Sequence, residues 1–83
     1  MEIMDTGAAI RKRIIDLCKK NDMTINRLAT ISGVTQSTLN NIVSGRNNSA
    51  TVATIKKLCD GLEMTLPEFF DCPEFLNLEQ EIK

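Results

Sequence analysis

Gly33 stands between two short runs in which apolar residues recur every three or four positions, Leu28, Ala29 and Ile31 before it, Leu39 with Ile42 or Val43 after it. That spacing marks a helix with one buried face. Reversing the chain between two such short helices calls for a left-handed backbone, which glycine adopts without steric cost. Thr24 and Thr35 each precede a run and can cap the helix that follows. The pattern therefore predicts helices from Ile25 to about Thr30 and from Gln36 to Val43, crossing at a tight turn. The same reading extends outward. Asp5 or Thr6 can open a helix reaching Lys20, with Ile10, Ile14, Leu17 and Cys18 on one face. Thr51 can cap a fourth that carries Val52, Ile55, Leu58, Cys59 and Leu62, with Gly61 weakening its last turn. Pro67 suits the first turn of a short fifth helix bearing Phe69 and Phe70. Phe75, Leu78 and Ile82, at spacings of three and four, predict a final amphipathic helix over 74–82. Strand patterns are essentially absent. The expectation is an all-α domain of five helices over residues 1–72, with the amphipathic tail 73–83 as a short sixth helix.

Eighty-three residues suffice for one domain, and at that size most apolar side chains must enter the core. No apolar run approaches the roughly 20 residues of a membrane span and no secretory signal pattern opens the chain, so a cytoplasmic protein with no membrane partner is expected. Three cysteines without a CxxC pair, and no histidine at all, cannot supply a tetrahedral zinc set, and no metal or cofactor is expected. Cys18 and Cys59 lie on apolar helical stripes and read as core; Cys72, between Asp71 and Pro73, reads as a free thiol. With no His or Tyr, no phosphate-binding glycine loop and no carboxylate pair beyond a solvated Asp60 and Glu63, the chain does not read as an enzyme. The total charge of −1 conceals a division. Residues 1–57 carry nine Lys or Arg against four Asp or Glu, a net of +5, while residues 58–83 carry one against seven, a net of −6. From Thr24 to Lys57 there is no acidic residue. Salt screens charges beyond roughly 8–10 Å, so the local balance decides what each face attracts.

Two short helices joined by a glycine-containing turn of about three residues make a helix-turn-helix. Ala29 is small where the helices cross, and Val34, Leu39 and Ile42 fill the angle between them. Gln36, Ser37, Thr38, Asn40 and Asn41 remain outward on the second helix, all short, uncharged and hydrogen-bonding. A merely solvated face would favour Lys, Glu and Arg, which are better helix formers. Amides and hydroxyls are the groups that read base edges in duplex DNA, where Asn and Gln pair with adenine, and the lack of acids avoids repulsion from phosphate.

The run from Leu28 to Gly45, followed by Arg46 to Leu58, resembles the lambda-repressor/Cro (Xre-type) helix-turn-helix family, and the resemblance covers about Gly7 to Phe70. It implies a five-helix DNA-binding domain of a transcriptional regulator, most simply a repressor, with the third helix in the major groove of double-stranded DNA. Carried onto this chain, it implies base reading by Gln36, Ser37, Asn40 and Asn41. Contacts to the DNA backbone are implied for Thr24, Thr35, Thr38, Arg46 and Asn47. Three positions depart from the family pattern. Ile25 stands where Gln is common and offers only its backbone N–H, Val43 where Glu is common, and Ala50 where a Pro usually precedes the cap of the fourth helix.

One recognition helix reads only a few bases, whereas two on a two-fold axis read half-sites about 34 Å apart. A homodimer is therefore expected, with Phe70, Phe75, Leu78 or Ile82 in its contact. The acidic C-terminal third, with Phe69, Phe70, Phe75, Leu76 and Leu78, also leaves open a different role: a protein-binding adaptor or antitoxin-like module built on the same fold.

Overall fold

The structure is a computed structural model that describes residues 4–46 and 50–82. Its elements run α1 (Thr6–Lys20), α2 (Ile25–Ser32), α3 (Gln36–Ser44), α4 (Val52–Gly61), α5 (Leu66–Phe70) and a 3₁₀ turn (Pro73–Phe75). Threonine starts four of the five helices. The hydroxyls of Thr24, Thr35, Thr51 and Thr65 accept from the backbone N–H groups of Arg27, Thr38, Thr54 and Glu68. Each such cap satisfies a donor that the helix cannot, and replacing one by alanine typically costs about 1 kcal/mol. Asp5, not Thr6, caps α1, accepting from Ala8 N at 2.7 Å. At Thr65 the cap is reciprocal, since the Glu68 carboxylate accepts from the Thr65 N–H at 2.8 Å.

Gly33 and Gly45 end α2 and α3 in the left-handed region, at φ 68° and 84°. After Gly33 the Val34 N–H returns to the Ala29 carbonyl at 3.1 Å, turning the chain directly into the Thr35 cap. The apolar stripes then meet. Ile14 and Leu17 from α1, Leu28 and Ala29 from α2, and Leu39 and Ile42 from α3 are buried together, closed from beneath by Leu58 and Cys59 of α4 and Phe69 of α5. Val34 and Val43 are half-buried against this core, so Val43 belongs to the packing of α3 and not to its outer face. Cys18 and Cys59 are buried, and burial pushes both thiols above the usual cysteine range.

Two expectations are corrected. Gly61 does not merely weaken the end of α4. A Cβ there would lie 2.2 Å from Ser32 Oγ and 3.2 Å from Ser32 Cα, so the glycine is what lets α4 pass directly beneath the end of α2. The amphipathic helix over 74–82 does not form either. After the 3₁₀ turn the chain runs irregularly until Leu78 bridges to Met4, with the Glu79 N–H donating to the Met4 carbonyl at 2.9 Å. Phe75 turns inward into an aromatic group with Phe69 and Phe70, its ring 4.9 Å from that of Phe70, and this fixes the direction of the tail.

Candidate nucleic-acid interface

The outer face of α3 is held by its caps and by what lies behind it. Leu39 and Ile42, fully and nearly fully buried, anchor the inner side of the helix, which leaves Gln36, Ser37, Thr38 and Asn40 exposed and Asn41 half-buried. Gln36 and Ser37 make no side-chain hydrogen bond among the described residues. The threonines are tied together, with the Thr35 hydroxyl donating to Thr38 Oγ1 at 2.7 Å. Asn40 reaches back to α2, its Nδ2 donating to Asn26 Oδ1 at 3.3 Å. Thr24 and Thr35 are exposed at the starts of α2 and α3, where unpaired helical N–H groups and the positive end of the helix dipole gather. Arg46 is exposed just past Gly45, and Asn47 lies outside the described residues.

Two contributors were not singled out from the sequence. Asn26 is one, since a residue on the preceding helix gives no local sign that it will meet Asn40. Arg11 is the other. Its guanidinium lies against Gly45, 3.4 Å from where a Cβ on that residue would sit, and so brings a cation from α1 to the C-terminal end of α3. Nothing near Gly45 in sequence announces the arginine behind it.

The cations of the first 57 residues are not equivalent. Arg13 is committed to the fold, donating to the Phe69 and Glu68 carbonyls at 2.6 and 2.8 Å with its guanidinium over the Phe69 ring. Lys12 pairs with Asp16 at 2.8 Å and Glu74 at 3.4 Å, and the Asp16 carboxylate raises its pKa. Lys56 pairs with Asp60, which accounts for the acid that was read as merely solvated. Arg11, Lys19, Lys20, Arg27, Arg46 and Lys57 have no ion pair among the described residues. The unneutralised charge therefore includes Arg27 on α2 and Arg46 beyond α3, in the stretch that contains no acid.

The side chains proposed for a second-copy contact divide as well. Phe70 is 38% exposed and Ile82 89%, while Phe75 and Leu78 are half-buried. Leu76, 79% exposed, is a larger apolar surface than Phe70. Among the described residues no helix is long and apolar enough to cross a membrane.

A search of the curated proteins found no significant match. Two solved structures share the fold. The prophage Lp1 protein 11 superposes with a TM-score of 0.79 at 33% identity, covering 90% of this chain and 99% of that one. An HTH_3 family transcriptional regulator from Vibrio cholerae gives 0.70 at 30% identity over 77% of this chain, which spans only 35% of that protein. The family model for the Cro/C1-type HTH DNA-binding domain matches residues 13–74, from the middle of α1 through the turn that follows α5. With its five helices, its α2–turn–α3 unit and this match, the chain belongs to the family of Cro/C1-type helix-turn-helix DNA-binding domains.

Proposed function

We propose that this chain is a sequence-specific transcriptional regulator that lays α3 in the major groove of double-stranded DNA. The observation that carries the reading is the α3 surface itself. It is exposed, acid-free and uncharged, with amide and hydroxyl groups that have few internal partners, on a helix whose inner side is locked into the core. Gln36, Ser37, Asn40 and Asn41 meet base edges, while Thr24, Thr35, Thr38, Arg46 and Asn47 bind the phosphates on either side. Ile25 cannot anchor through its side chain, so Thr24 and the free N–H groups of the first turn of α2 take that part. Two copies bind together, joined through Phe70, Leu76 and Ile82, with half-sites about one helical turn apart. Occupying an operator excludes other proteins from it, so repression is the action assigned, in the cytoplasm where the DNA lies.

Selection of bound sequences from a random duplex pool tests this reading. The expected product is a palindrome with A·T pairs opposite the Gln and Asn side chains. Failure to enrich any sequence, together with capture of a protein partner, would replace this reading by that of a protein-binding module.

A further inference from the structure

We propose that Arg11, which lies outside the helix-turn-helix, holds a phosphate of the DNA backbone at the C-terminal end of α3. The proposal rests on α3 acting in the major groove and adds a site on α1 to that reading. α1 packs against α3, and the Arg11 side chain spans the two helices. Its Nη1 lies 3.4 Å and its Cζ 3.8 Å from where a Cβ on residue 45 would sit. With only hydrogen there, the guanidinium reaches the backbone at the point where α3 stops and the exposed Arg46 follows.

The neighbours of Arg11 show what it lacks. On the same helix Lys12 is paired with Asp16 and Glu74, and Arg13 donates to the Glu68 and Phe69 carbonyls. Arg11 is half-buried, yet it makes neither an ion pair nor a side-chain hydrogen bond among the described residues. Gly7, Ala8, Ile14 and Ile15, one turn away on α1, bring no acid to it, and α3 carries none. A guanidinium stays charged and has five donors in a planar fork, so a half-buried one without an acceptor is open to an anion. The last carbonyls of α3 draw it there through the negative end of the helix dipole, which is too weak to neutralise it. Arg46 adds a second full charge one residue beyond Gly45. Like charges gathered there repel each other, and an anion between them relieves that cost. Beside a helix that reads base edges, the anion within reach is a backbone phosphate.

The experiment uses the full chain and follows affinity against salt concentration on the selected operator and on random duplex. Each phosphate neutralised adds about 0.9 to the slope of log affinity against log salt. Arg11→Gln should flatten that slope by about 0.9 on both duplexes and lower affinity for each by roughly fivefold to tenfold. Arg11→Lys should keep the wild-type slope, because an ammonium still neutralises the phosphate. Arg11→Gln combined with Arg46→Ala should flatten the slope by about 1.8, one charge for each residue. Lys19→Gln is the control for charge without contact. Lys19 also has no ion pair among the described residues and lies eight positions further along α1. That is about 12 Å, beyond the screening length, so its slope should equal that of wild type. An arginine that only supported the end of α3 would lower the unfolding temperature in Arg11→Gln and leave the slope unchanged. The proposal is overturned by that result, by Arg11→Lys behaving like Arg11→Gln, or by Lys19→Gln flattening the slope as much. If wild-type protein binds no duplex, the major-groove reading fails and this proposal with it; if it binds and Arg11→Gln keeps the slope, only this proposal fails.

Discussion

At the junction of α1 with α5, Arg13 is engaged by the carbonyls of Glu68 and Phe69, whereas past the end of α3 Arg46 stands exposed with no acidic group near it in sequence. The same contrast holds for the surfaces around them. Where α1, α5 and the 3₁₀ turn meet, polar groups answer one another: Lys12 with Asp16 and Glu74, Thr65 with Glu68, Met4 with Glu79. On α2 and α3 only the Thr35–Thr38 and Asn26–Asn40 pairs tie polar side chains together, and Gln36 and Ser37 make no side-chain hydrogen bond among the described residues. Groups whose hydrogen bonds are complete within the chain stabilise it. Those left incomplete on a helix whose backbone is locked into the core are available to a ligand.

The largest expected effect lies on the saturated side. Arg13→Ala should destabilise the fold by about 2–3 kcal/mol, because it removes two charge-assisted hydrogen bonds and leaves the α5 carbonyls without them. Thermal unfolding should show this as a fall of roughly 8–20 °C for a domain of this size. A variant as stable as wild type would mean that α5 does not depend on α1. Next comes the seat of α2 on α4. Gly61→Ala should cost about 1–3 kcal/mol through overpacking against Ser32. Ser32→Ala should be neutral or slightly stabilising, since Ser32 Oγ is buried without a hydrogen-bond partner among the described residues. A harmless Gly61→Ala would show that α4 does not brace α2, the helix on which α3 packs. Arg46→Ala stands at the other pole. Its unfolding temperature should stay within a degree or two of wild type, while affinity falls on every duplex and the slope of log affinity against log salt flattens by roughly one. Loss of stability instead would place Arg46 with Arg13 and erase the distinction between the two regions.

Much of this was legible in the sequence, for local reasons. The threonine caps of α2, α3 and α4, the left-handed Gly33 and the apolar stripes of α1 to α4 each depend on residues a few positions apart, so the pattern reveals them. What was not legible depends on distance. Phe75, Leu78 and Ile82 have helical spacing, yet their backbone is set by Met4 at the other end of the chain and by the rings of Phe69 and Phe70. Gly61 looked like a weak helix end because nothing near it in sequence announces Ser32. Arg13 counted simply as one of the nine cations of residues 1–57, because the α5 carbonyls that engage it lie 55 and 56 positions on. Of the outer face of α3, the residue types were legible but not their ties: Asn40 to Asn26 across the helix crossing, Thr38 to Thr35, and the partial burial of Asn41.

The division between saturated and open surface stands or falls with Gln36, exposed at the start of α3 and without a side-chain hydrogen bond among the described residues. The direct measurement is the affinity of Gln36→Ala for the selected operator and for random duplex at the same salt concentration. A loss of about 1–3 kcal/mol on the operator, with little change on random DNA and an unchanged unfolding temperature, is the result predicted. Equal losses on both duplexes, or none on either, would contradict the claim that this face reads sequence.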